Sequence, residues 1–178
     1  MIPNLISIND FQTIQIELDF KGIIFNDLER IKFNYNSQEF GIITLNRELK
    51  SLGEYHLRTA NGNILRLVAT NKSGIEFDIW DNNEKYEYIR SNRIINIKQI
   101  YTFKSDTHEI KYQYNGYGIM IYKDDIFIGR IKIDDKLLSA HLNYSIHLID
   151  FNSVNFLMSL CAIEILQRYI YRLHETGE

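Results

Sequence analysis

Two groups of side chains stand where their types could do chemistry. His56 and Arg58 are alternate residues of one segment, and Arg66 lies in the next. If those segments form a hairpin, all three side chains share one outward face. Arginine and protonated histidine donate to phosphate and carboxylate oxygens, so this cluster has the chemistry of an anion or lipid head-group site. Arg90, Arg93 and Lys98 form a second basic group of the same kind. The other feature is a lone carboxylate, Glu164, between Ala162, Ile163 and Ile165, Leu166. Buried charges are usually satisfied by neighbours, so a structural carboxylate, paired with a strand residue or lying near the barrel mouth, is expected over a ligand-binding or switching one. Without a cationic partner its pKa would be raised by burial.

Other combinations fall away on spacing. His141 and His147 share one strand face but sit about 20 Å apart, too far to hold one ion. Asp124-Asp125 and Asp134-Asp135 are adjacent carboxylates that point different ways, and no loop has the calcium pattern D-x-[DN]-x-[DN]-G. They read as turns, as does the looser group Asp78, Asp81 and Glu84. Cys161, the single cysteine, lies in an all-apolar run and reads as packing. There is no G-x-S-x-G, G-x-G-x-x-G or P-loop run. No catalytic residue, metal or cofactor is expected, and the chain reads as a non-enzymatic binding protein.

The elements that must position these residues are mostly strands. Alternating segments separated by turn residues recur: 13–19, 39–45, 54–59, 63–69, 74–80, 85–90, 93–103, 109–114, 117–123, 126–134 and 137–149, with 28–34 a weaker candidate. The last has Leu138, Ala140, Leu142, Tyr144, Ile146 and Leu148 on one face, with Ser139, His141, Asn143, Ser145 and His147 on the other. Two turns can be specified. A three-residue loop Ala60-Asn61-Gly62 pairs Leu57 with Leu65 and Tyr55 with Leu67, sets His56 opposite Arg66, and gives Gly62 a positive φ. A two-residue loop Asp124-Asp125 pairs Tyr122 with Phe127 and Met120 with Gly129.

One long helix follows, about 153–173, with Asp150 or Asn152 and Ser153 supplying its N-cap. Val154, Phe156, Leu157, Met158, Leu160, Cys161, Ala162, Ile163, Ile165 and Leu166 go nearly all the way round it. A helix apolar on every side must be enclosed, and this run is too short for a membrane span. A β-barrel wrapped around the helix is the simplest enclosure. The 178 residues therefore read as one domain, 1–178, mainly β: a closed antiparallel barrel around a central hydrophobic C-terminal helix.

A net charge of −3 gives no general attraction to nucleic acid, which is not expected as a partner. The first ten residues lack a basic region and a cleavage site, so a cytoplasmic location is expected. Richness in Ile, Asn, Lys and Tyr with one Pro suggests an AT-rich genome, such as that of a low-GC bacterium.

Many short strands ending in Gly129-Arg-Ile-Lys-Ile133, then Tyr144-Ser-Ile-His-Leu-Ile-Asp150, then a hydrophobic helix with Cys161-Ala-Ile-Glu164, resemble the tubby C-terminal-like superfamily. That group includes LURP-one-related proteins and phospholipid scramblases and has small bacterial members. The resemblance covers roughly Glu39 to the C-terminus. It implies a barrel of about twelve strands threaded by the C-terminal helix. Tubby proteins bind phosphoinositides through basic side chains. Scramblases carry a Pro-rich N-terminus, acylated cysteines and a calcium segment without clear counterparts here. The expected partner is an anionic phospholipid or the inner membrane surface, with His56, Arg58 and Arg66 as the binding residues. The alternative is a regulatory or immunity-type protein that binds a protein partner through its barrel wall or loops.

Overall fold

The computed structural model describes residues 12–21, 27–45, 54–70, 76–81, 84–89, 100–115, 118–134, 143–149 and 151–176. Twelve strands are formed: β1 (Gln12–Lys21), β2 (Asp27–Tyr35), β3 (Gln38–Thr44), β4 (Glu54–Thr59), β5 (Ile64–Ala69) and β6 (Phe77–Asp81) come first. Then follow β7 (Glu84–Ile89), β8 (Ile100–Lys104), β9 (Glu109–Asn115), β10 (Gly118–Lys123), β11 (Ile126–Asp134) and β12 (Asn143–Leu148). Each strand pairs antiparallel with its sequence neighbours, and β1 pairs with β12 to close the barrel. Closure leaves no sheet edge to pair with another chain. A short 3-10 turn, Phe151–Ser153, leads into α1 (Val154–Thr176), which puts Ser153 just before the first helical residue.

The helix fills the barrel because no face of its first half can meet water. Leu157, Met158, Cys161 and Ala162 have no exposure, and Leu160 and Leu166 have 1%. The inward alternates of the wall meet them: Ile14, Ile31, Ile43, Leu57, Leu65, Leu67, Ile79, Ile110, Ile119, Ile131 and Ile146 are all fully buried. Phe156 packs edge-on against Tyr86, with ring centroids 4.3 Å apart. At Gly129 a Cβ would come within 2.5 Å of Leu157 and 2.6 Å of the His147 carbonyl, so helix and wall approach closely only because no side chain is there.

Alternating direction gives the barrel two unlike ends. At one, short turns join β2 to β3, β4 to β5, β6 to β7, β8 to β9 and β10 to β11, and the helix enters. At the other lie the opposite ends of the strands, together with the helix C-terminal half. The β4–β5 turn has the expected form. The Thr59 amide donates to the Asn63 carbonyl at 2.9 Å, and Gly62 has φ 83°. Tyr55 faces Leu67, His56 faces Arg66 and Leu57 faces Leu65.

The β10–β11 register departs from expectation. Tyr122 does pair with Phe127, but Ile121, not Met120, faces Gly129. A bulge takes up one extra residue on β11, and the reason is visible in the faces. Unbroken pairing from a two-residue turn would set Ile119 opposite Arg130. The bulge sets it opposite Ile131, and both isoleucines enter the core. Asp124 and Asp125 have φ of 50° and 65°, the left-handed pair such a turn requires. The weak candidate 28–34 is a full strand, and the segment expected at 74–80 starts at Phe77. Ser145, expected on a wet face, is 9% exposed and hydrogen-bonds with His147 Nε2 at 3.1 Å. His141, Arg90, Arg93 and Lys98 lie outside the described residues, as do the expected strand segments 93–99 and 137–142.

Carboxylates stitch the short turns together. Glu84 accepts from Ser105 Oγ at 2.6 Å and Thr107 Oγ1 at 2.7 Å. Asp124 accepts the Glu109 amide at 2.8 Å and meets His108 Nδ1 at 2.7 Å. Both carboxyls are held below their ordinary range: Glu84 by the two hydroxyls, Asp124 by the amide first and His108 second. A depressed carboxyl pKa contributes stability that is complete above the unfolded value and lost as pH falls through the folded one. Stability should therefore fall below about pH 4, and Glu84→Gln/Asp124→Asn should lose less of it than wild type in urea melts from about pH 5 to 3. Parallel acid profiles would remove these turns as the sensitive groups.

Candidate functional site

The outer face of β4 and β5 holds the three basic residues singled out in the sequence. Inward Tyr55, Leu57, Leu65 and Leu67 fix the pleat, so Glu54, His56, Arg58, Ile64 and Arg66 must point outward. His56 stands directly opposite Arg66, and Arg58 lies one step along, opposite Ile64. Arg58 is exposed and has no ion-pair partner among the described residues. Ile64 beside it is 50% exposed.

Two neighbours complete the patch. Trp80 on β6 is in register with Arg66, whose guanidinium lies 4.9 Å from the centre of the indole ring. Lys85 on β7 approaches the same ring at 5.8 Å, so the indole lies beside two cations. Such contacts orient a guanidinium without consuming its N–H donors. Glu54 is the opposing element. Its Oε1 lies 3.2 Å from His56 Nε2 and 3.6 Å from Arg66 Nη1. This carboxylate offsets part of the positive charge, and its place two residues before His56 makes it readable from strand alternation alone. Lys85 is neutralised by Asp78 and Glu87, at 3.0 and 2.6 Å. Asp78 also accepts the Tyr88 amide at 3.1 Å, so it is structural and not a metal ligand. Arg30, exposed on the outer side of β2, is a further cation without an ion-pair partner among the described residues.

Glu164 lies elsewhere, inside the barrel toward the end by which the helix leaves, and is 2% exposed. It is fully partnered. Tyr112 donates to Oε2 at 2.5 Å, Tyr114 donates to the same oxygen, and Arg168 Nε donates to Oε1 at 2.5 Å. The two tyrosines are inward alternates of β9, and their hydroxyls lie 3.0 Å apart. Burial and then the Glu164 charge raise the pKa of both phenols, which keeps them neutral donors. Burial alone would lower the pKa of Arg168, but the hydrogen bond and charge of Glu164 more than reverse this. Its cation is therefore secure. The unpartnered carboxyl considered in the sequence is replaced by an ion pair within the helix, with two phenols from the wall. The Arg168 position, four residues after Glu164, was a readable signal.

Among the described residues no group of His, Cys, Asp and Glu is placed to hold a metal ion. No described helix is long and apolar enough to cross a membrane. Cys161 is fully buried and its thiol pKa is pushed up by burial, so it is packing material. Compared with protein-family models, curated proteins and solved structures, the chain finds no match.

Proposed function

We propose that this protein is a non-enzymatic binding protein that engages anionic lipid head groups at the inner membrane surface through the outer face of β4 and β5. The observation that carries the reading is one outward patch with His56, Arg58 and Arg66 on it, in which Arg58 has no carboxylate partner among the described residues. A guanidinium held in water at a rigid wall is available to a phosphate oxygen, and the stacked Arg66 keeps most donors free. The barrel threaded by its C-terminal helix is the architecture that the resemblance to the tubby C-terminal-like superfamily implies. The reading places the protein in the cytoplasm, peripheral to the membrane.

Flotation with liposomes tests it. Wild type is expected to float with vesicles containing anionic lipid and not with neutral ones, and to be released by added salt, which screens surface charge. Arg58→Glu/Arg66→Glu should abolish flotation while leaving the urea midpoint nearly unchanged, since both side chains are outside the core. Absence of flotation with every anionic lipid would overturn the proposal. A second reading draws on Ile64 and Trp80, which add apolar and aromatic surface beside the arginines. Tryptophan and arginine are the side chains on which protein interfaces concentrate their energy. Under that reading the same double variant loses a protein partner in a pull-down while liposomes are ignored.

A further inference from the structure

Arg168 does more than its partner requires. Glu164 Oε2 already accepts from two tyrosines, and the arginine meets Oε1 through Nε alone. Its terminal amino groups make no hydrogen bond among the described residues. The pair also runs from inside to outside: the Glu164 side chain is 2% exposed and that of Arg168 is 39%. A carboxylate anchored by two phenols thus holds a guanidinium at the barrel end where the helix leaves, its remaining donors without a partner among the described residues.

We infer that Arg168, held by Glu164 beside Tyr114, heads a second binding site, taking a small molecule through a carboxylate or phosphate group held by the terminal amino groups of Arg168. The planar fork of arginine matches two oxygens of such a group. Tethering Nε to Glu164 removes side-chain freedom before the ligand arrives, which lowers the cost of binding. Tyr114, partly buried and within the same hydrogen-bonded group, borders the site. Because Glu164 and Arg168 together carry no net charge, the site suits a small anion bound by directed hydrogen bonds. A membrane surface, which attracts through summed charge, is the ligand of the other patch. This inference does not depend on that patch.

Nitrogen-15 NMR of the arginine Nε–H groups reads the site directly in the full chain. Sodium acetate and sodium phosphate are titrated separately, with sodium chloride at matched ionic strength as the control. The Arg168 resonance is expected to shift saturably with acetate, phosphate or both, the two arms separating carboxylate from phosphate, while the resonance of exposed Arg30, which belongs to neither site, follows the chloride control. Arg168→Lys keeps the charge without the fork and should weaken the saturable binding by about tenfold, with liposome flotation unchanged. An Arg168 resonance that only tracks chloride overturns the inference, as does a Lys variant that binds like wild type. Should the Lys variant fail to fold, the wild-type titration decides alone.

Discussion

Leu160→Asp should leave this protein unable to fold. Leu160 is 1% exposed on α1, with Met158, Cys161 and Ala162 buried around it and barrel wall on every side. The substitution forfeits about 1.5–3 kcal/mol of apolar burial. It also places a carboxylate in a core that holds no buried cation among the described residues, at several kcal/mol more. The sum is comparable with the whole stability of an ordinary domain, about 5–15 kcal/mol. Leu160→Ala separates the loss of packing from the charge: it should stay folded and lose about 2–5 kcal/mol in urea melts. A Leu160→Asp protein with native circular dichroism and an unchanged urea midpoint would mean that the helix does not occupy the barrel.

Glu164→Gln should destabilise the protein by about 1–3 kcal/mol at pH 7. The amide cannot accept three hydrogen bonds as the carboxylate does, and it ends the charge assistance from Arg168. The loss stays below the full cost of breaking a buried ion pair because Arg168 is 39% exposed on its side chain and can be hydrated where it stands. Urea melts of both proteins across about pH 5 to 8 measure this. A Gln variant as stable as wild type or more so at pH 7 would mean that Glu164 is held as a neutral acid and that the pair with Arg168 is not formed.

The barrel and its central helix were legible because both rest on local patterns. Inward alternates such as Leu65 and Leu67 mark a half-buried strand, and the unbroken apolar surface from Val154 to Leu166 marks an enclosed helix. The β4–β5 register was legible for the same reason, since only a three-residue turn keeps Leu57 with Leu65. The bulge in β11 was not. It answers a demand of the opposite strand, that Ile119 meet Ile131 and not Arg130, and the Asp124-Asp125 turn carries no trace of it.

At the sites, alternation placed His56, Arg58 and Arg66 together but said nothing of Trp80, which reaches Arg66 from another hairpin. Glu54 is readable from the same alternation: it shares the face and lies against both His56 and Arg66. The partners of Glu164 divide in the same way. Arg168 is one helical turn away, whereas Tyr112 and Tyr114 meet it only once the barrel has closed.

The most direct test of the proposed function uses a probe already in place. Trp80 is the single tryptophan of the chain and lies against Arg66 on the proposed membrane-facing wall. Its fluorescence is recorded while vesicles with and without anionic lipid are titrated in, with lipids brominated near the head group as quenchers. Quenching by anionic brominated vesicles, reversed by salt, is expected. Neutral vesicles should give none, and neither should anionic vesicles with Arg58→Glu/Arg66→Glu relative to that variant's own starting signal. Protein that floats with anionic vesicles while Trp80 stays unquenched would contradict the proposed function, because the membrane would then be held by some other face.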